Sequence, residues 1–532
     1  MNHTIAIYDT TLRDGSQGEG ISFSVDDKIR IARRLDSFGI DYIEGGWPGS
    51  NPKDIEFFNA MKSIALKHAK LTAFGSTRRP NLTASTDPMI QQLLDAQTPV
   101  ITFVGKASDF HVVEALRLPL DQNLEMISDT TMFLKQNGKE VIYDAEHFFD
   151  GYLRNPGYTL SCVRAAVESG VDVVALCDTN GGTLPHEIAR IVGDVKLVFP
   201  NACFAIHTHN DTECGVANSL AAALAGAVQV QGTINGLGER TGNANLTSII
   251  PTLCLKLHMD LYCARNLSDL CDVSAFVDEI ANVPFKNQAA YTGRSAFAHK
   301  AGLHVDAMRK NPGTYEHIDP SLVGNERRIL VSEHSGSATI LEKVQRGNNN
   351  LKKDSPETKA ILREVAKLEN EGYSFEGAEA SFELLVKKAT GTYTSLFELI
   401  GYRVIVEKRG GDKEAITEAT LKLRVGDREL LTVAEGDGPV NALDSALRKA
   451  LTETYPDLSR IRLTDFKVRV VNVKEGTAAA VRTIVDSADE HDSWSTIGVS
   501  TNIIEASWRA VVDSIEYGLL RDGKNAESLP AA

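Results

Sequence analysis

The sequence predicts an α/β protein, a (β/α)8 TIM barrel followed by linker segments and a C-terminal α+β domain of two βββα repeats. Three observations carry that expectation. Strand-like and helix-like segments alternate about eight times between Ile5 and about Asp260. Asp14, Glu44, Glu146, Asp178, Thr179, His207, His209 and Asn235 fall at or just past the C-terminal ends of those strands, the end at which barrels build active sites. Beyond about Phe397 the pattern changes to three strands and a helix, and then repeats.

The eight barrel strands read IAIYDTTL, DYIEGGWP, KLTAFGS, PVITFVG, EVIYDAEHF, VDVVALCDTN, CFAIHTHND and QVQGTING. The helical pattern between the first two is DDKIRIARRLDSFG, with Ile29, Leu35 and Phe38 on its buried stripe. DQNLEMISDTTMFLKQNG and GYTLSCVRAAVESG each stop on a glycine. A doubly wound open sheet is the alternative, but it needs a glycine-rich turn after the first strand, and DTTLRDG is not one. We therefore expect a catalytic barrel over residues 1–272.

A mixed linker subdomain is expected over 273–346, with NPG and DPS turns and the run SAFAHKAGLHVDAM. A charged helical subdomain follows over 347–390, containing ETKAILREVAKLENEG. The C-terminal domain covers 391–521. Its first unit is FELIGYRVIVEK, EATLKLRVGD, RELLTVAEGDG and the helix PVNALDSALRKAL. Its second is FKVRVVNVKE, AAVRTIVDSAD, DSWSTIGVSTN and the helix IIEASWRAVVDSIEYGLL. The segment 522–532 reads as a disordered tail.

A chain of 532 residues is too long for one typical domain, and 42% apolar residues support large cores. The net charge of −15 argues against nucleic-acid and anionic-membrane partners. No apolar run approaches a membrane span and no signal-peptide layout is visible, so a cytoplasmic protein is expected. Seven cysteines without a CxxC pair read as reduced thiols, and alternation along its strand should turn Cys177 away from the barrel mouth.

His207 and His209 stand two apart on one strand, so both imidazoles face the same way. Asp14 follows the first strand and Asn243 the eighth. Strands seven, eight and one are neighbours in a closed barrel, so these four side chains converge on one point. Mixed oxygen and nitrogen ligands with open positions suit Mg²⁺, Mn²⁺, Co²⁺ or Zn²⁺. A metal of that kind chelates a 2-oxo acid and makes its ketone a better electrophile. Arg13, beside Asp14, is placed to stabilise developing oxyanion charge. Glu239 and Arg240 in GLGERTGN either pair with each other or orient the metal ligands. Tyr143, Phe74 and Phe103 lie near strand ends and are candidates to fill the pocket around the substrate's alkyl group.

TLRDG after strand one, HTHND at strand seven and GLGERTGN after strand eight resemble the metal-dependent acyl-CoA-condensing TIM barrels. That family includes the 2-isopropylmalate, homocitrate and citramalate synthases, with 3-hydroxy-3-methylglutaryl-CoA lyase as a relative. AGLHVDAM resembles the family's linker histidine motif, and the duplicated C-terminal domain resembles the synthases' allosteric domain. EGGWPGSNPKD and YDAEHFFDGY are most similar to a bacterial citramalate-forming branch.

The resemblance implies a reaction: acetyl-CoA, pyruvate and water give citramalate and CoA, in isoleucine biosynthesis. It implies a divalent metal on Asp14, His207, His209 and Asn243, and a hydrogen bond from Thr179 to the pyruvate carboxylate. Tyr143 and Arg13 are also expected at the substrate. Either Glu146 or His304 is the base that takes a proton from the acetyl methyl, His304 reaching in from another subunit, with Tyr315 as a helper. The resemblance further implies a homodimer and an amino-acid effector, isoleucine for a citramalate synthase, at the turns EGDGPVNA and GVSTNIIEAS. A different 2-oxo acid, as in 2-isopropylmalate or homocitrate synthesis, is the alternative within the family. A lyase or aldolase on the same barrel and a non-catalytic amino-acid sensor are the readings outside it.

Overall fold

The computed structural model describes residues 4–299, 302–329, 356–375, 378–408, 410, 414–471, 478–490 and 492–521. The expected tail, 522–532, and parts of both linker segments lie outside them. The first eight strands are β1 (Ala6–Asp9), β2 (Tyr42–Gly46), β3 (Lys70–Ser76), β4 (Val100–Lys106), β5 (Glu140–Glu146), β6 (Val173–Asp178), β7 (Phe204–Thr208) and β8 (Gln229–Gly232). They form a closed barrel in sequence order. Parallel pairing of β1 with β8, Ala6 opposite Gln229 and Asp9 opposite Gly232, closes the ring. Helices fill the intervals. Helix Val25–Phe38 starts on a capping box made by Ser24 and Asp27 and stops on left-handed Gly39.

Alternation sorts each strand into two faces. Tyr8, Val100, Ile142, Ala175 and Ala205 pack together inside the barrel. Ile7, Phe103, Val141, Tyr143, Leu176 and Ile206 belong to the larger core that also holds Ile31, Leu35, Ile127 and Leu134 from the surrounding helices. The side chains above the inner layer, toward the C-terminal ends of the strands, are polar, and they form the site.

The chain divides into two compact units, 1–297 with 317–327, and 298–316 with 328–532. The second unit contains the two-stranded pair β9 (Ala298–His299) and β10 (Arg328–Ile329). It also contains two antiparallel sheets: β11 (Glu398–Glu407), β12 (Ile416–Val425) and β13 (Arg428–Gly436), then β14 (Arg462–Val470), β15 (Val481–Ala488) and β16 (Ser493–Ser500). Each sheet is followed by one helix, Pro439–Leu451 or Ile503–Leu520, as the repeat predicted. Leu421, Leu443, Leu447, Trp494 and Trp508 lie in the core of this unit. Among the described residues no helix is long and apolar enough to cross a membrane.

Candidate active site at the barrel mouth

Asp14 sits one turn beyond β1, and β7 carries His207 with His209 just past its end. One ligand atom from each of the three lies within 4.8 Å of the others, and all three residues are buried. The two imidazole centroids are 5.3 Å apart. His207 Nε2 is 3.3 Å from Asp14 Oδ2. Its Nδ1 is 3.0 Å from Gln231 Oε1; when Nδ1 donates there, the neutral ring keeps its lone pair on Nε2, the nitrogen that faces Asp14. Asn243 joins by backbone pairing, since it forms an isolated antiparallel bridge with His209. Asn243 Nδ2 donates to Leu237 O at 3.1 Å, which turns Oδ1 the other way. Asn243 Oδ1 and His209 Nδ1 are both buried without a hydrogen-bond partner. A buried orphan of this kind costs ~1–3 kcal/mol. Four donors of mixed oxygen and nitrogen character, two of them with unsatisfied buried atoms, fit a divalent cation.

Burial disfavours protonated His207, but Asp14 raises its pKa above the ordinary value, so Nε2 donates to Asp14 unless a metal takes that proton's place. Burial works against ionised Asp14, but the Arg13 charge and the His207 hydrogen bond outweigh it and hold the carboxyl well below its usual range. Burial and the neighbouring His207 push His209 down to about 4, against Asp14, so its imidazole is neutral at physiological pH, the form that ligates metal.

Arg13 bridges two carboxylates. Its Nε donates to Glu44 Oε1 at 2.5 Å and its Nη1 lies 3.5 Å from Asp14 Oδ2. Its guanidinium lies 3.8 Å from the ring centroid of Phe74. Burial opposes its charge, but Glu44 and Asp14 hold it protonated. Glu44 also accepts from Thr10 Oγ1 at 2.6 Å and from Tyr8 Oη. Trp47 stands edge-on to Phe74 at 5.5 Å. Its loop is tied down by Asp54, which accepts from Trp47 N at 2.8 Å and pairs with buried Lys28.

Arg13, Asp14, Trp47, Phe74, His207 and His209 line a cleft of about 220 Å³ together with Asp144, Glu146, Cys177, Thr179, Glu239 and Arg240. Glu146 forms an ion pair with Lys106 Nζ at 2.5 Å at the rim. Thr179 Oγ1 accepts from His147 N at 2.9 Å, leaving its own hydroxyl proton to donate. Arg240 grips Asp211 through Nε and Nη2 at 2.9 and 3.0 Å and reaches Thr179 O at 2.8 Å. It therefore ties together the loops after β6, β7 and β8, while Glu239 stays half-exposed 3.9 Å away.

Several expectations change here. Tyr143 was expected at the substrate, but it is fully buried on the outer face of β5, stacked on Phe103 at 5.3 Å. Its hydroxyl donates to Gly105 O at 3.3 Å. The inner positions of β5 are Ile142, Asp144 and Glu146, so Asp144 takes the place in the cleft that Tyr143 was given. Cys177 lines the cleft instead of pointing away. Asp178 then faces the opposite side, where Thr183 Oγ1 donates to it at 2.7 Å and Asn218 Nδ2 at 3.3 Å. Asn235, with φ of 60°, is committed to Ser274 and Asp278. His304 and Tyr315 belong to the second unit, where their rings stack at 4.1 Å. Asp144, Lys106, Trp47 and Gln231 were not anticipated. Two-residue alternation back from Glu146 was the signal for Asp144.

The HMGL-like family description matches residues 4–277, the homocitrate synthase post-HMGL domain-like description 291–372, and the LeuA allosteric (dimerisation) domain 376–519. The chain is 53% identical over 522 residues to the (R)-citramalate synthase of Aquifex aeolicus, covering 98% of this chain and 99% of that one. It is 53% identical over 515 residues to the (R)-citramalate synthase of Geobacter sulfurreducens, covering 97% of each chain. Similarity to the 2-isopropylmalate synthase of Shouchella clausii is lower, 31% over 97% of each chain. The barrel, its polar mouth and these full-length similarities together place the chain in the (R)-citramalate synthase family.

Proposed function

We propose that the chain condenses acetyl-CoA with pyruvate and hydrolyses the thioester, giving (R)-citramalate and CoA. The observation that carries this reading is the convergence of Asp14, His207 and His209 in a small cleft walled by Arg13, Trp47 and Phe74, with the unpartnered Asn243 Oδ1 on the segment bridged to His209. A divalent metal held by these four residues supplies Lewis acidity toward the carbonyl of a bound 2-oxo acid. Thr179 donates to the acid's carboxylate. Arg13, fixed by Glu44 and Phe74, faces the oxygen on which negative charge grows as the new carbon–carbon bond forms. Glu146, on the rim beside Lys106, takes the proton from the acetyl methyl group. His304 and Tyr315 complete the site from a neighbouring subunit, as the family resemblance implies. The close similarity to citramalate synthases favours pyruvate over larger 2-oxo acids.

The deciding experiment follows CoA release with a thiol reagent in Mn²⁺ or Mg²⁺, offering pyruvate, 2-oxoisovalerate and 2-oxoglutarate separately. Turnover with pyruvate, abolished by chelation and by Asp14→Ala, is the expected result. Preference for another oxo acid overturns the substrate but keeps the chemistry, and cleavage activity without acetyl-CoA favours a lyase. The C-terminal domain is proposed to dimerise and to bind isoleucine at the N-termini of helices Pro439–Leu451 and Ile503–Leu520. Isoleucine titrated into the same assay should lower the rate, and an unchanged rate removes it as the effector.

A further inference from the structure

We propose that Asp144 is a catalytic residue of the cleft, a carboxylic acid whose Oδ1–H bonds the ketone oxygen of the bound 2-oxo acid. The inference rests on the condensation reading and assigns a group to the oxo acid's side of that reaction. Asp144 and Glu146 are two apart on the inner face of β5, so they project into the same space at different depths. Glu146 stands at the rim with Lys106, whereas Asp144 is buried below it and still lines the cleft. Its Oδ1 is buried and has no hydrogen-bond partner. A fold that leaves such an atom unsatisfied forgoes ~1–3 kcal/mol, and here the unsatisfied atom belongs to a side chain in the wall of the substrate cavity.

The surroundings decide which form the carboxyl takes. Glu44 faces it from β2, Tyr8 and Arg13 from β1 and its loop, Cys177 from β6, His207 from β7 and Gln231 from β8. Hydrogen bonds to the charged form are what keep a buried carboxylate ionised. Glu44 has three such donors, and Asp144 Oδ1 has none. Burial first, and then the like charge of Glu44, push the Asp144 carboxyl up to about 7, against His207, Arg13 and a hydrogen bond from Gln231. Asp144 is not one of the three clustered metal-ligating residues, and the ion-pair partner of His207 is Asp14.

A neutral carboxylic acid in the wall of the cleft is a donor, and a 2-oxo acid offers only acceptors. As the acetyl methyl carbon bonds to the ketone carbon, the carbonyl π pair moves onto oxygen. That oxygen draws on the Asp144 proton and keeps it as the product hydroxyl. The proton taken by Glu146 passes to solvent, and Asp144 is reprotonated from solvent after product leaves, so the cycle closes without another reactant.

The test compares Asp144→Ala and Asp144→Asn with the parent full-length protein in the pyruvate-dependent CoA-release assay. Mn²⁺ affinity is measured separately by competition with a chelating dye. Asp144→Ala should lower kcat ~10²–10³-fold, the usual loss for one oxyanion donor. Its KM for pyruvate and its Mn²⁺ affinity should stay within about threefold of the parent. Asp144→Asn, which still donates, should recover to within about tenfold of the parent. It should also lose the fall in kcat that the parent shows on the alkaline side, where the acid ionises. The proposal is overturned by any of three results: an Asp144→Ala kcat within about threefold of the parent, a parallel loss of Mn²⁺ affinity, or an unchanged alkaline fall in Asp144→Asn. A parent that releases no CoA with any 2-oxo acid removes the condensation reading itself, before the variants are compared.

Discussion

Gln231 shows how much of the site depends on a residue that does not touch the metal position. It is buried on β8, directly across the sheet from His207, and its Oε1 accepts the His207 Nδ1 proton at 3.0 Å. Its amide nitrogen lies 3.4 Å from Gln229 Oε1, which favours the orientation with Oε1 toward His207. Replacing Gln231 with Leu leaves the imidazole free to adopt the other tautomer and to rotate. Metal affinity should then fall ~10–100-fold, as is usual when an outer hydrogen-bond partner of a ligating histidine is removed. Gln231→Glu keeps the acceptor for His207 while losing the donor to Asp144, and should hold Mn²⁺ more tightly than the Leu variant. A dye-competition titration in which the Leu variant binds Mn²⁺ as tightly as the parent would show that the hydrogen bond does not matter. His207, His209 and Asp14, which the structure brings together, were legible in the sequence because a metal set has a recognisable chemistry; Asn243 is the fourth ligand proposed with them. Asp144 and Gln231 stayed hidden because one depends on strand phase and the other is an ordinary amide inside a strand. Along YDAEH a one-residue uncertainty in alternation exchanges Tyr143 for Asp144, and the packing of Tyr143 on Phe103 fixes the phase that Glu146 alone suggested.

At the scale of elements, the turn after β8 does more than connect. Gly238 has φ of 150°, and a Cβ there would lie 2.2 Å from Asn243 Nδ2. Gly242 has φ of 92°, with its Cβ position 2.0 Å from Gly236 O. This loop folds back on itself so that Asn243 can pair with His209, with its Oδ1 buried and unpartnered. Gly238→Ala should therefore act mainly on the metal, displacing Asn243 and weakening Mn²⁺ binding at least ~10-fold. Backbone strain should add ~1–3 kcal/mol of destabilisation, read by denaturant unfolding. Metal affinity within error of the parent would mean that the loop accommodates the methyl group without moving Asn243. The barrel strands were legible because alternating apolar runs are a strong signal. What the turn holds in place was not legible, because it arises from backbone contact between segments more than thirty residues apart.

At the scale of the whole molecule, the change in pattern after the barrel corresponds to two compact units with separate hydrophobic cores. The two βββα repeats were visible because each strand–helix run is locally complete. The regrouping of 317–327 with the barrel unit was not, because it depends on contacts such as Lys256 Nζ with His317 O. Separate cores make a thermodynamic prediction. A metal that binds only the native barrel stabilises it by RT ln(1 + [L]/Kd), ~2.7 kcal/mol at a hundredfold excess over Kd, and should leave the second unit unaffected. Leu447, fully buried in the second unit's core, loses ~2–5 kcal/mol of packing on replacement by Ala and should leave the barrel unaffected. Scanning calorimetry should therefore show two transitions. Chelation with EDTA should lower one of them, and Leu447→Ala the other. A single transition moved by both treatments would mean that the two units unfold as one cooperative body.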